Sequence, residues 1–191
     1  MRAIVLAAVL VASTLSTAFA QEDDEERAFI IKQFKGWTGI LLRCEPNSQH
    51  KAIADAICQS ASAEFNYLAE NSEIPHRISK DENSFQMYLN AGKLGTPLIL
   101  ELETLATTGA GGLTAVHVNL EARRFYSNAI EQDARPDNPE SVPRGGDLVL
   151  WEHPMIASGY GEQNVVREMA PYVNDNIKSF FAQFLKGWKA K

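Results

Sequence analysis

Leu98-Ile99-Leu100-Glu101-Leu102-Glu103-Thr104-Leu105 is the stretch on which the fold turns. Successive residues of an extended chain point to opposite sides, so Leu98, Leu100 and Leu102 share one face and Ile99, Glu101 and Glu103 the other. One face asks for a core, the other for water. The same phase returns in the next apolar run, where Val116, Val118, Leu120 and Ala122 make a buried side and His117, Asn119, Glu121 and Arg123 a polar one. Alternation this regular predicts an antiparallel sheet with one solvated face rather than a parallel sheet covered on both. Pairing of Glu101 or Glu103 with Arg123 across neighbouring strands then argues for register more than for stability.

Between these two strands lies a glycine-rich turn, Thr107 to Gly112. It lacks the Lys-Ser/Thr ending of a phosphate-binding loop and precedes a strand rather than a helix, so it reads as a hairpin connection. Further on, residues 133–146 hold Pro136, Pro139, Pro143, Gly145 and Gly146 and read as a long surface loop. Residues 148–153 follow as a short strand, which Pro154 ends or marks as an edge. The last element is an amphipathic helix: Val165 or Val166, Met169, Tyr172 or Val173, Ile177, Phe180 or Phe181, Phe184 and Trp188 recur at helical spacing. Pro171 inside it predicts a kink or a helix start at that point.

Towards the N-terminus, residues 74–83 read as a polar linker and 85–89 as a short strand. Ile53, Ile57, Ala61, Phe65 and Leu68 lie along one side of a helix that starts near Ser48. Residues 37–43 form a compact apolar strand, stopped by Pro46 and Asn47, and residues 24–35 a short helix. The fold class that results is α+β: a two-layer sandwich with a mainly antiparallel sheet of four or five strands, packed on one face by helices.

Residues 1–20 carry a separate message. Arg2 precedes an uncharged apolar run, and the segment closes on Ala18, Phe19 and Ala20, the pattern of a secretory signal peptide with its cleavage site. The apolar run is about ten residues long, half the length a membrane-spanning helix needs. Residues 21–191 are then expected to form a single α+β domain delivered to the periplasm or the extracellular space. Oxidising surroundings let Cys44 and Cys58, the only two cysteines, close a disulfide. Such a bond ties the first strand to the body of the helix beside it.

Charge and motifs exclude more than they select. The formal net charge of -6 repels nucleic acid, and the basic residues are dispersed without aromatic interleaving. No nucleophile elbow of the Gly-x-Ser-x-Gly type is present, and the four histidines are too scattered to fix a metal site. No cofactor is implied. Candidate binding residues are His117, His153 and Arg123 on the strands and Phe181, Phe184 and Trp188 on the last helix, whose aromatic surface exceeds what one buried stripe needs.

The function these features suggest is an exported, non-catalytic binding or assembly-accessory protein that meets a protein partner through a sheet edge or the long loop. Two alternatives remain in view. One is a secreted hydrolase using His117 and His153 with nearby carboxylates; the other is a carrier of an apolar small molecule beneath the C-terminal helix. Transient contact of that helix with a membrane surface belongs with the same aromatic face.

Overall fold

Leu100 sits between Leu42 on one neighbouring strand and Ala122 on the other in the computed structural model, so the leucine face of residues 98–105 is the middle of the inner sheet face. The structure describes residues 28–29, 32–45, 49–80, 92–127 and 145–190. Within these, the strands are β1 (Ile40–Cys44), β2 (His76–Lys80), β3 (Leu98–Thr108), β4 (Leu113–Ser127) and β5 (Gly145–Tyr160), in spatial order β2-β1-β3-β4-β5. The sheet is mixed. β1 runs parallel to β2 and β3, while β3, β4 and β5 form an antiparallel meander. Two helices, α1 (Lys51–Asn71) and α2 (Glu162–Trp188), complete the α+β sandwich.

The inner face is apolar across the strands: Ile40 and Leu42, then Leu98, Leu100 and Leu102, then Val116, Val118, Leu120 and Ala122 are all buried. Ile53, Ile57, Ala61 and Phe65 of α1 and Val165, Met169, Val173 and Ile177 of α2 are buried likewise, as helical spacing predicts. Asn174 of α2 donates to Ser60 of α1 at 3.2 Å, and Phe181 meets Phe65 edge to face with centroids 5.6 Å apart. The disulfide joins Cys44, the last residue of β1, to Cys58 in α1.

The chain divides into two compact units, residues 37–181 and the described parts of residues 1–36 with 182–191. The first holds the sheet, α1 and most of α2. In the second, residues 28–29 and 32–33 are helical, Phe34 packs edge to face on Phe184, and Trp188 stacks on Phe184.

Three local expectations change. Residues 76–80 are a strand rather than linker: His76-Arg77-Ile78-Ser79-Lys80 shows a single large apolar residue, and it is held through main-chain pairing with β1 alone. β5 is far longer than residues 148–153 and runs through Pro154. The phase of the ladder explains how. Gly161 donates to the carbonyl of Gly112, so odd-numbered residues at this end of β5 face β4 and even-numbered ones, Pro154 among them, face away from it. Pro154 therefore interrupts no ladder bond. Finally, α2 starts at Glu162 and continues through Pro171, whose position is exposed. The expected strand at 85–89 lies outside the described residues, as do residues 1–20 and the expected loop at 133–146 as far as residue 144, while its last two residues, Gly145 and Gly146, belong to β5.

Candidate binding surface

The outer sheet face carries a transverse row. Arg43 stands opposite Glu101, Glu101 opposite Glu121, and Glu121 opposite Glu152, on β1, β3, β4 and β5. Like charges placed directly across a ladder repel, so three carboxylates in line require compensation. Arg43 bonds Glu101 from one end. Arg123, one row away, reaches Glu101 at 2.9 Å and also bonds Glu121. Asn119, one row the other way, donates from its amide to Glu121 and to Glu152, the latter at 3.1 Å.

The arginine side chains are part-exposed and shield the acids below them. Glu101, Asn119 and Glu121 are only 6%, 8% and 8% exposed, although their strand positions lie on the face expected to be solvated. Burial pushes the Glu101 carboxyl above its usual range; Arg43 and Arg123 pull it back, and Glu45 and Glu121 push it up again. Nε of Arg43 and Oδ1 of Asn119 are buried without a hydrogen-bond partner among the described residues. The row crosses four strands in one register. Among the described residues, no group of three or more His, Cys, Asp or Glu is placed to hold a metal ion.

Towards the β3–β4 turn the outer face becomes apolar and open. Leu105, His117 and Ile156 form one row across β3, β4 and β5, with Leu105 50% and Ile156 79% exposed. Leu113 and Tyr160 stand opposite one another at its end, also exposed. β5 is one of the two edge strands of the described sheet, β2 being the other. By the ladder phase, Ile156 and Ser158 turn their backbone N–H and C=O groups, and Tyr160 its N–H, to the side where no described strand pairs, while the Tyr160 carbonyl accepts from the Asn164 amide at 2.9 Å.

Beside this edge lies an open crevice of roughly 350 Å³ between β5 and α2, lined by Met155, Ile156, Ala157, Ser158, Glu168, Met169 and Tyr172. A second groove of roughly 400 Å³ runs between the starts of the two helices, over Ala52, Ile53, Ala56 and Val166.

The candidates read from the sequence separate across these surfaces. His117 lies on the outer face. His153 is opposite Leu120, hence on the inner side, where it stacks on Trp151 with centroids 6.0 Å apart. The sheet stands between the two imidazoles, which do not form one site. Arg123 is in the outer row, bonded to two carboxylates. Phe181 and Phe184 are buried: Phe181 touches Phe65 and Phe180, and Phe184 touches Phe34 and Trp188. Glu101, Asn119, Glu121 and Glu152 as a linked row, and the edge at residues 156–160, were not singled out by sequence reasoning. Pro154 was the one signal that pointed to the edge.

No helix among the described residues is long and apolar enough to cross a membrane. No protein-family model matches the chain, and no curated protein matches it. Among solved structures, a PelC dodecamer from Paraburkholderia phytofirmans is similar at 11% sequence identity, over 82% of this chain and 92% of that one, with a TM-score of 0.39.

Proposed function

We propose that the chain is an exported, non-catalytic binding or assembly-accessory protein of the periplasm or extracellular space, and that it recognises an extended segment of a protein partner by strand addition along β5. The observation that supports this reading is the edge at residues 156–160, where no strand pairs among the described residues. Long open edges are a hazard that proteins usually blunt, and added strands gain affinity from the same main-chain groups that create the hazard. Pro154 leaves a gap in the donors of this edge, since it offers no N–H to a partner strand. The secretory pattern of residues 1–20 and the Cys44–Cys58 disulfide agree with an oxidising compartment.

Residues 21–191 with the disulfide intact are titrated with an acetylated octapeptide alternating Lys and Leu, and amide hydrogen exchange is followed residue by residue. Strand addition slows exchange at Ile156, Ser158 and Tyr160, whose N–H groups face outwards, and leaves Ala157 and Gly159, already paired to β4, unchanged. The same residues in block order, which cannot present one apolar face as a strand, give no protection. Equal protection by both peptides, or by neither, overturns the reading.

A further inference from the structure

The crevice between β5 and α2 lies where an added strand would place its side chains. In a strand paired to β5, alternate residues point to the two faces of the sheet, and those on the inner side descend beside Met155 and Ala157 towards Met169 and Tyr172 of α2. The lining is mostly apolar, and two flexible thioethers allow it to adapt to a large side chain. Its single charged residue is Glu168. On the outer side, the same added strand passes Glu152, an exposed carboxylate whose partner Asn119 is neutral.

We infer that this crevice is the specificity pocket of the edge: it takes one large apolar side chain of an extended partner segment whose outward residues are basic. Charge complementarity selects the cations at the outer positions, because the exposed charged side chain of β5 on the outer face, among the described residues, is the carboxylate of Glu152; Glu168 lies on the inner side, at the crevice. The inference rests on strand addition at β5 and goes beyond it in naming what the partner must carry. An apolar residue at the inner position and basic residues at the flanking outer positions are the required pattern.

Two octapeptides test it, Lys-Thr-Lys-Leu-Lys-Thr-Lys-Thr and the same peptide with Ala in place of Leu. The Leu peptide binds about tenfold more tightly, the discrimination that one buried large side chain supplies. Ala157→Leu, which fills the crevice from its floor, brings the two peptides within roughly threefold of each other. Tyr172→Ser, a change at an exposed position, weakens the preference by opening one wall. Equal affinities together with intact protection at Ile156 and Ser158 overturn the pocket while strand addition stands. Absence of protection with either peptide removes strand addition and the pocket with it. A sedimenting dimer that dissociates as peptide is added identifies a second copy of this chain as the occupant and overturns the basic-partner assignment.

Discussion

Glu101 and Glu121 stand directly opposite each other on neighbouring strands, and Arg123 bonds both. Two buried carboxylates at this spacing are tolerated because cations reach them from two sides, Arg43 and Arg123, while an amide from Asn119 takes the remaining acceptor of Glu121. The compensation is incomplete at Glu101, where desolvation outweighs both arginines and raises the pKa from its model-compound value of 4.5.

A pH dependence of stability follows from that imbalance. Because the folded pKa is raised, the folded chain holds the Glu101 proton to higher pH than the unfolded chain does. The contribution of this group is fully present below the ordinary carboxylate value and is lost as pH rises through the folded value. Urea unfolding of the native protein and of Glu101→Gln between about pH 4 and pH 8 isolates it. The stability of the native protein relative to the variant falls as pH rises; parallel curves, or a relative gain with rising pH, contradict the assignment.

Gly39 is held where three strands begin. Its carbonyl accepts from Leu98, the next amide, Ile40, donates to Pro75, and a Cβ built on Gly39 falls against the Pro75 carbonyl oxygen. Gly39→Ala must part β1 from β2 at this point and destabilises the fold by about 1–3 kcal/mol. Gly92→Ala, with nothing within 4 Å of the added carbon, stays within about 0.5 kcal/mol of the native protein. Denaturant midpoints of the two variants, compared with the parent, decide it.

Legibility in the sequence follows how far each structural fact depends on neighbours. The faces of β3 and β4 are local, so period-two alternation finds Leu98, Leu100, Val116 and Val118 without knowledge of strand order. The shared phase of β3 and β4 makes the pairing of Glu101 with Arg123 legible, but the burial of Glu101 is not local: it depends also on Arg43 reaching it from β1 on the other side, which no pattern within β3 and β4 displays. The length of β5 was hidden for a related reason. Pro154 ends a strand in the middle of a sheet and is harmless at an edge, and which of these applies is decided by the spatial order of strands. β2 was missed because a strand held by one neighbour needs little apolar surface, and Ile78 was its only large apolar residue.

The end of α1 stores a small conformational strain. Ile74 donates to Ala69 and Glu73 to Glu70, a Schellman ending in which the residue after the cap takes a positive φ. Here that residue is Glu73, with φ 56°, rather than glycine. Glu73→Gly relieves the contact between Cβ and backbone and raises stability by about 0.5–1 kcal/mol. Glu73→Ala removes the same charge but keeps the Cβ, so it gives no such gain. A gain shared by both variants would assign the effect to charge instead of backbone conformation.

The Cys44–Cys58 bond closes a loop across a sequence separation of 14 and joins the last residue of β1 to a buried position on α1. β1 is flanked by parallel partners on both sides, so its end has no hairpin to hold it and relies on main-chain pairing and on this cross-link. In the chain-entropy account, a loop of this size restricts the unfolded chain by about 3 kcal/mol. Replacing both cysteines with alanine lowers unfolding stability by that order in urea, and reduction of the native protein does the same. The single variants break the same bond, so each alone costs nearly as much as the pair, and the sum of the two singles overshoots the double. Additive losses would mean that the two side chains stabilise the fold separately, by packing, and that the covalent link between strand and helix contributes little.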